Sequence, residues 1–578
     1  MTDEQKQCRQ CKNTFIVTAV DRAFYEKVSP MIAGKKELIP PPTLCPSCRL
    51  QRRLALRNER HLFRRKCDAT GAMIVSMYPP ESDYKIFSND AWWSDTWDGL
   101  EFGRDFDFSR PFFDQFRELS LQVPRVALMN PKAENAPYCN FADGNKNCHL
   151  VINSNFNQDS YYSTILVDSR SCCDCMWVVK SELCYECCDL EGCYAVRFSR
   201  ESMNCSDSLF LSECRGCSQC IGCVNLRNKR LYIFNTPVTE EEFLRVKRSL
   251  RSRDALTRFS EKFEQFRLSI PHPGRHLIQC EESHGDHLSR CRNMHQSFEG
   301  FDSQDCSYSN IFSNMRDCYD CNATNEAELS LENTSFMGSH HLFTAFCRGS
   351  SDLLYCWDCH VCSDCFGCIG LRNKQYCILN KQYAKEEYEK LVPMIIQNMQ
   401  NDGNGADMNP SSPTTLKADT ASGSWGEFFP VTMSPFAYND TVAQEFFSLT
   451  QGEILGREWR LRDGEEAPPT VDQVIPAPHL PDSIDDSSDD VLQWVIACEA
   501  THRPFKIIRQ ELELYRKIGV PIPCLHPDER HRRRVASRNP SKLWRRNCQK
   551  CGREMETSYD PGKKEIVNCE ECFLKEVY

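Results

Sequence analysis

Ten residues near the middle of the chain, CRGCSQCIGC at 214–223, place four cysteines at intervals of three residues. The pattern occurs twice, because CRGCSQCIGCVNLRNKRLYIFN at 214–235 aligns with CHVCSDCFGCIGLRNKQYCILN at 359–380 at an offset of 145. An internal duplication predicts two segments with the same fold. Metal ligation and the close packing of small apolar side chains both favour cysteine at such a spacing.

Cysteines also recur at a longer interval. Cys172, Cys193 and Cys214 are equally spaced, and Cys347 and Cys368 repeat their interval of 21 in the second copy. Brief extended runs such as MWVV, YAVRF and LFL separate the cysteines of the first copy. A fixed period of about 20 residues with short strands is typical of a β-solenoid, in which equivalent side chains stack into ladders. We therefore expect a duplicated β-solenoid with an inward cysteine ladder.

A metal site is the alternative for the same cysteines. Iron–sulfur ligation is disfavoured, because Val224 and Ile369 stand where a ferredoxin-type motif has proline after its last cysteine. Zinc ligation by the central cysteines stays open from the sequence alone.

The two ends of the chain carry a different cysteine pattern, with paired CxxC motifs. Each CxxC presents two thiolates, and two such motifs complete a tetrahedral zinc site. A closed site of this kind leaves no position for a catalytic water, so we expect two structural zinc ions. The predicted ligands are Cys8, Cys11, Cys45 and Cys48 at one end and Cys548, Cys551, Cys569 and Cys572 at the other.

The terminal modules are themselves copies of each other. RNERHLFRRKCDATG at 57–71 aligns with RNPSKLWRRNCQKCG at 538–552 at an offset of 481. The alignment gives each module places for two sites, of which one is degenerate. The degenerate positions are Cys67, Thr70, Ser88 and Ala91 in the first module and Cys498, Thr501, His526 and Glu529 in the second. Rescue of the latter site by Cys524 and His502 is the alternative to a site without metal.

Arginine is concentrated after the first CxxC pair of each module. Eight basic residues and one acid lie between 49 and 66, and eight basic residues and no acid lie between 530 and 547. Their helical spacing predicts an arginine-rich face that binds nucleic-acid phosphates or acidic partners. Pairing with acids of the chain, for example in 481–490 or 104–110, is the alternative. The candidate residues are Arg49, Arg52, Arg53, Arg57, Arg60, Arg64, Arg65, Arg532, Arg533, Arg534, Arg538, Arg545 and Arg546.

Composition limits the remaining classes. The 578 residues include 37 cysteines and carry a formal net charge of −11, which disfavours nucleic-acid binding by the chain as a whole. Neither a signal sequence nor an uninterrupted apolar run of membrane length occurs, so we expect a cytoplasmic protein without a membrane partner. Phosphate loops and dinucleotide fingerprints are missing as well, and we expect no enzyme.

The end modules resemble bacterial zinc-ribbon proteins that have no assigned activity. The shared pattern is CxxC, then Phe15, then the pair Phe24 and Tyr25, then CPxCR at 45–49. The segments WWSDTWD at 92–98 and GRDFDFSRPFF at 103–113, with the paired LRNK sequences, extend the resemblance over most of the chain. It implies duplicated zinc modules that flank a cysteine-rich repeat region, and it implies no activity.

Together these patterns predict a multidomain α+β protein with zinc ribbons at both ends and a central duplicated cysteine-ladder β-solenoid with short helices. The expected segments are a zinc module at 1–91, an aromatic connector at 92–137, solenoid repeats at 138–270 and 271–398, a disordered linker at 399–424, an aromatic docking segment with an acidic linker at 425–490, and a zinc module at 491–578.

The leading functional hypothesis is nucleic-acid binding of low sequence specificity by the arginine helices, with the solenoid as a spacer or protein-binding face. The alternatives are a structural adaptor for acidic protein partners and, more weakly, metal handling or redox sensing by the central thiols.

Overall fold

The computed structural model describes residues 2–401, 424–463 and 474–578, so most of the predicted linker at 399–424 lies outside the described residues. The chain divides into two compact units that are not continuous in sequence. The first unit comprises Met1–Ala127, Arg275–Arg462 and Pro540–Leu543, and the second comprises Leu128–Gly274, Asp463–Asn539 and Trp544–Tyr578. Each unit therefore combines one terminal module with one cysteine-rich repeat, and the N-terminal module belongs with the second repeat.

The first unit begins with four short hairpin or paired-strand elements and four helices. Its strands before the repeat are Glu4–Gln7, Thr14–Val17, Met31–Ile32, Lys35–Lys36, Phe63–Lys66, Met73–Ser76, Ile86–Phe87 and Arg125–Val126, and its helices there are Ala19–Val28, Pro46–Leu54, Asn89–Trp93 and Phe112–Gln122. The repeat contributes the strands Leu277–Ile278, Gly285–Ser289, Arg292–His295, Ser297–Phe301, Gln304–Ser307, Asn310–Leu354, Ser363–Phe366, Gln375–Ile378 and Lys381–Gln382. The helices Lys385–Asn401, Val442–Phe446 and Gln451–Gly456 follow.

The second unit has the same kinds of element. Its repeat contributes the strands Thr164–Val167, Met176–Val179, Cys188–Glu191, Arg200–Met203, Leu209–Ser212, Ser218–Val224, Arg230–Ile233 and Thr236–Pro237, followed by the helices Glu240–Ser249 and Arg253–Leu268. Its other strands are His272–Pro273, Val474–Pro476, Val495–Ala497, Pro504–Phe505, Trp544–Asn547, Glu554–Thr557 and Val567–Asn568, and its other helices are Arg509–Ile518, Pro527–Ser537 and Glu570–Val577.

Parallel pairing builds both cysteine-rich repeats, which we call the first ladder (residues 134–237) and the second ladder (277–382). In the first ladder, Val178 pairs with Leu166 on one side and with Leu190 on the other, so that neighbouring rungs are 12 residues apart. The backbone N–H of Cys214 likewise donates to the Oγ of the residue 12 residues earlier, Ser202. The predicted period was therefore wrong, and each rung of a ladder is shorter than the cysteine interval suggested.

A repeating unit of three residues explains why the rung length is 12 although cysteines recur at 21. Every third residue is buried, as at Cys214, Cys217 and Cys220. The residue that directly precedes each buried position has a positive φ, which is 62° at Gly216 and 53° at Gln219. One left-handed residue in every three turns the chain at regular intervals. The observed period of 12 and the sequence interval of 21 are both multiples of three, so cysteines at the longer interval point inward without being neighbours.

The thiols of the ladders donate hydrogen bonds to the backbone. The Sγ of Cys214 lies 3.5 Å from the carbonyl oxygen of Ser212 and 3.4 Å from that of Cys223. Serine takes the same place elsewhere, since the Oγ of Ser202 lies 2.9 Å from the carbonyl oxygen of Arg200. Among the described residues, no group of side chains with metal-binding geometry includes a ladder cysteine. Packing and hydrogen bonding account for cysteine at CRGCSQCIGC.

The aromatic segments pack within the first unit. Trp92 and Phe112 of the predicted connector are fully buried, and their rings lie 5.4 Å from those of His360 and Phe366 respectively. Phe429, from the predicted docking segment, is also fully buried. These buried rings therefore do not offer a surface for stacking bases, whereas Trp93 and Phe108 of the connector are 47 and 40 % exposed.

The predicted acidic linker at the end of 425–490 is partly a folded element. Ala477, Leu480 and Ile484 are buried in an apolar cluster of the second unit together with Leu512 and Tyr515. This portion therefore contributes apolar side chains to a core and is not a linker. No helix within the described parts of the chain has the length and apolar character needed to cross a membrane.

Candidate metal centres

The N-terminal zinc site is built from a hairpin and a helix. Cys8 and Cys11 lie in the turn between the strands Glu4–Gln7 and Thr14–Val17. Cys45 is the N-cap of the helix Pro46–Leu54, which we call the N-terminal arginine helix, and Cys48 lies in its first turn. The Sγ atoms of all four cysteines lie within 4.8 Å of one another.

The sulfur geometry fits zinc. The Sγ atoms of Cys11 and Cys45 are 3.7 Å apart, and those of Cys551 and Cys569 at the other end are 3.8 Å apart. Tetrahedral zinc with Zn–S bonds of about 2.3 Å requires sulfurs about 3.8 Å apart. Both sets therefore hold zinc without rearrangement, and zinc is the cofactor of both sites.

Local backbone structure fixes the N-terminal site. Lys12 adopts φ of 63° directly after the first CxxC, and its N–H donates to the carbonyl oxygen of Cys8 at 3.0 Å. The N–H of Cys45 points at the Sγ of Cys8 at 3.3 Å. Hydrogen bonding from the Cys48 thiol lowers the pKa of Cys45 to about 5. A thiolate is thus ready at neutral pH, which is the form that binds metal.

The C-terminal site repeats this construction. Cys548 and Cys551 lie between the strands Trp544–Asn547 and Glu554–Thr557, and Cys569 is the N-cap of the helix Glu570–Val577. The N–H of Cys569 lies 3.3 Å from the Sγ of Cys548. Burial raises the pKa of Cys548, but hydrogen bonds from the N–H of Cys569 and from other backbone N–H groups outweigh burial and lower that pKa to about 6.

The two degenerate positions keep the same turn without the ligands. Gly71 follows Cys67 with φ of 72°, and His502 follows Cys498 with φ of 57°, each donating its N–H to the cysteine carbonyl oxygen four residues earlier. Glu529 occupies the position of Cys48 and forms ion pairs with Arg532 and Arg533 at 2.7 and 2.9 Å. Neither set is among the metal-binding groups of the described residues.

Residues 2–56 match the family model described as a probable treble clef domain. The N-terminal zinc module is therefore a treble clef and not the zinc ribbon that the sequence suggested. The helix that begins after Cys45 is the arginine-rich helix expected from the sequence, and it ends at Leu54. No curated protein matches the chain.

The N-terminal arginine helix turns its arginines inward. Arg49 and Arg53 both reach Asp320 of the second ladder, at 2.8 and 3.2 Å. Arg53 also contacts Glu332 at 3.1 Å, and Arg52 contacts the same carboxylate at 2.7 Å. The side chains of Arg53 and Asp320 have no exposed surface at all. These guanidinium groups therefore form ion pairs with acidic side chains of the same chain.

The C-terminal arginine helix, Pro527–Ser537, forms the same contacts with the first ladder. Arg530 and Arg534 both pair with Asp174, the latter at 2.9 Å. Arg534 also lies 3.6 Å from Glu186. Burial lowers the pKa of Arg534, but Asp174 and Glu186 outweigh it and raise that pKa above its ordinary value.

The two sets of ion pairs correspond residue by residue. Arg49 and Arg53 become Arg530 and Arg534 at the offset of 481 that relates the modules. Asp320 and Glu332 become Asp174 and Glu186 at a common offset of 146, and the two acids of each set lie on neighbouring rungs. Arginines four apart on a helix thus meet acids one rung apart on a ladder, twice in one chain.

The predicted phosphate-binding arginines divide into two groups. Those that are buried or whose side chains are almost fully covered cannot bind phosphate, and for them the prediction was wrong: Arg49, Arg52, Arg53, Arg57, Arg65, Arg534 and Arg538. The others keep exposed or partly exposed side chains: Arg60, Arg64, Arg532, Arg533, Arg545 and Arg546. Arg532, Arg533 and Arg545 are 68, 54 and 78 % exposed at the side chain.

Internal pairing was the alternative from the sequence, but with other acids. The structure selects Asp320, Glu332, Asp174 and Glu186, and none of them lies in 481–490 or 104–110. These acids share a sequence pattern: in both repeats, two acids lie 12 residues, or one rung, apart at the same position of the three-residue unit. The pattern becomes visible only when the rung length of 12 is known.

Proposed function

We propose that this protein is a non-enzymatic, zinc-stabilised scaffold of the cytoplasm, in which rigid ladders carry zinc modules and offer a binding face to other proteins. The observation that carries the proposal is the repeated docking of each arginine helix on two ladder acids. Buried ion pairs add little net stability but tolerate no misplacement, so they fix the orientation of one element on another.

The register of the ladders supports the finer assignment of a β-solenoid. Parallel pairing at a constant step of one rung continues from Glu134 to Arg227 in the first repeat. Each rung contacts the next through hydrogen bonds and thiol packing, which makes the stack stiff. Stiff stacks hold attached modules at fixed places, and this is the property that a scaffold requires.

Hydrogen exchange on the full chain tests this proposal. If the modules are fixed, the amides of Pro46–Leu54 and Pro527–Ser537 exchange as slowly as those of the ladder strands next to their acids. The expected protection of the helix amides is within about tenfold of that of the strands. Helices that exchange several hundredfold faster while the ladders stay protected would show modules that undock freely, and the scaffold proposal would fail.

Binding to the nucleic-acid backbone is the second candidate, and the exposed arginines of the C-terminal module favour it. Arg532, Arg533 and Arg545 extend into solvent although their partners are glutamates on the same module. Such pairs are weak at the surface, so phosphate competes with them readily. Arginine forks suit phosphate geometry.

Fluorescence anisotropy with a short labelled duplex of random sequence tests this candidate. We expect affinity that falls steeply between about 50 and 200 mM salt and that is lost when Arg532, Arg533 and Arg545 are changed to Glu. A triple variant in which Arg245, Arg258 and Arg292 are changed to Glu is the matched control, since these side chains are 75, 65 and 69 % exposed on other elements. Equal affinity of the triple variant and the control would exclude this surface.

A further inference from the structure

Cys280 differs from every other ladder cysteine. It is partly exposed, whereas all the remaining cysteines of the two ladders are buried. Cys280 belongs to the first rung of the second ladder, immediately after the strand Leu277–Ile278. Within the described residues it is thus the one place where solvent reaches the interior thiols of a ladder.

The neighbouring rung places a second thiol opposite Cys280. Ile278 pairs with Ser289 and Glu281 bridges to Arg292, so Cys280 lies in register with Cys291. Neighbouring rungs are about 4.8 Å apart, within the Cα separations of about 4.4–6.8 Å that disulfides span. The Sγ of Cys280 lies 3.3 Å from the carbonyl oxygen of Leu288, so its side chain points toward that rung.

The neighbouring Cys291 thiol makes Cys280 the more acidic of the two. Cys291 lowers the pKa of Cys280 to about 6, although burial opposes this, and Cys280 in turn raises the pKa of Cys291. An accessible, more acidic thiol beside a less acidic one is the arrangement found where a cysteine reacts and a second one resolves the product.

We propose that Cys280 and Cys291 are a peroxide-reactive dithiol that closes reversibly into a disulfide. The Cys280 thiolate attacks one oxygen of hydrogen peroxide, the O–O bond breaks, and hydroxide leaves, which gives a sulfenic acid at Cys280. The Cys291 sulfur then attacks Cys280 and loses its proton as water leaves. Two thiols and one peroxide yield one disulfide and two waters, and a thiol reductant reverses the reaction.

The fold confines the reaction to this pair. Arg292 pairs with Gln304, so the inward residue after Cys291 in the same column is Ser303, whose Oγ lies 2.7 Å from the carbonyl oxygen of Phe301. Serine cannot take part in exchange, so oxidation does not pass further into the ladder. The remaining ladder thiols are buried, so peroxide does not reach them.

Peptide mass spectrometry on the full-length zinc-loaded protein tests the proposal. One equivalent of hydrogen peroxide, followed by alkylation of free thiols, is expected to yield the Cys280–Cys291 disulfide at least tenfold above any other cysteine pair, with zinc retained in both terminal sites. Dithiothreitol is expected to restore both thiols. Oxidation of the zinc ligands while Cys280 stays reduced, or over-oxidation of Cys280 with no disulfide, would overturn the proposal.

Two further measurements separate the dithiol from general thiol reactivity. Cys291→Ser is expected to stop Cys280 at the sulfenic acid and to reduce disulfide yield at least tenfold, whereas Cys524→Ser, which removes the other partly exposed cysteine outside the zinc sites, leaves it unchanged. Labelling of wild-type Cys280 with iodoacetamide across pH needs no variant to fold. A labelling midpoint at or above pH 8 would contradict the thiolate.

Discussion

Removal of one buried arginine tests the docking of the modules most directly, because the chain contains its own control. Arg52 and Arg533 are equivalent residues at the offset of 481. Arg52 contacts Glu332 and Glu427 at 2.7 Å each and is 7 % exposed, whereas Arg533 contacts Glu529 at 2.9 Å and is 54 % exposed. The substitution to Ala is the same in both places, and only the surroundings differ.

The expected losses of stability differ severalfold. Arg52→Ala removes the ion-pair partner of buried Glu427 and one of the two partners of Glu332, which Arg53 still contacts. Breaking a buried pair in this way costs about 3–5 kcal/mol. Arg533→Ala removes a surface pair, which costs about 0–1 kcal/mol. With a urea dependence of about 3 kcal/mol per molar, a loss of about 4 kcal/mol lowers the unfolding midpoint of the first unit by about 1.3 M.

Urea denaturation followed by hydrogen exchange, resolved by peptide, measures each unit separately, because a chain with two units need not unfold in one step. The midpoint of the Pro46–Leu54 peptides reports on Arg52→Ala, and that of Pro527–Ser537 reports on Arg533→Ala. Equal shifts for the two variants would refute the assignment of docking to buried ion pairs.

Acid should bring wild type and Arg52→Ala closer together. Burial raises the pKa of Glu427, but the charge of Arg52 outweighs it, and the pKa lies below its ordinary value. A carboxyl group with a lowered pKa stabilises the folded state above its unfolded pKa of about 4.3, and this contribution is lost as pH falls through the folded value. The difference in stability between the two proteins is therefore expected to stay constant from pH 7 to about pH 4.3 and to shrink as pH falls below that value.

Three further outcomes follow from the same geometry. Elemental analysis should give two zinc ions per chain, one fewer after Cys8→Ser or Cys548→Ser, and no change after Cys67→Ser; a third zinc would contradict the assignment of the degenerate sites. Val361→Gly should raise the free energy of unfolding by about 1 kcal/mol, because this exposed valine has φ of 54°, and a lower melting temperature would refute that. Cys187→Phe should cost about 1–3 kcal/mol by overpacking a buried rung position, whereas Cys187→Ser should melt close to wild type; equal melting temperatures would argue against the ladder.

The metal sites were predictable from sequence because zinc ligation is local and its spacing is strict. CxxC followed by CPxC identified all four N-terminal ligands, and the arginine spacing identified the helix after them, although the helix ends at Leu54. The ladders were predictable as stacked, inward cysteines. Their period was not, because both the interval of 21 and the true step of 12 occur among the cysteines, the latter for example from Cys172 to Cys184. Serines and valines such as Ser202 and Val178 share the true step.

The groups that the arginine side chains contact could not be predicted from the sequence. Their helical spacing indicates a charged face in either case, and sequence does not say whether that face meets solvent or another element. The partners Asp320 and Glu332 lie 271 and 280 residues away from Arg49 and Arg52. Whole-chain charge gave the better guide, since an excess of acids is available to neutralise a local cluster of bases.

Because the chain turns once in every three residues, its residues fall into a repeating three-residue register, which we call the frame. Removing one whole rung leaves the frame intact, whereas removing a single residue places a left-handed turn on a residue that should point inward. The second ladder records such an event relative to the first: the offset between them changes from 146 at Glu332 to 145 at Cys359.

The turns show where the frame is reset, since positive φ recurs at Leu329 and Glu332 and next at Met337. The apolar core is interrupted at this place, between Ala327 and Cys347, and the buried residues there include Asn333 and His341. A length change in a ladder is thus tolerated only where the interior gives up its apolar packing, which predicts where related chains would differ in length.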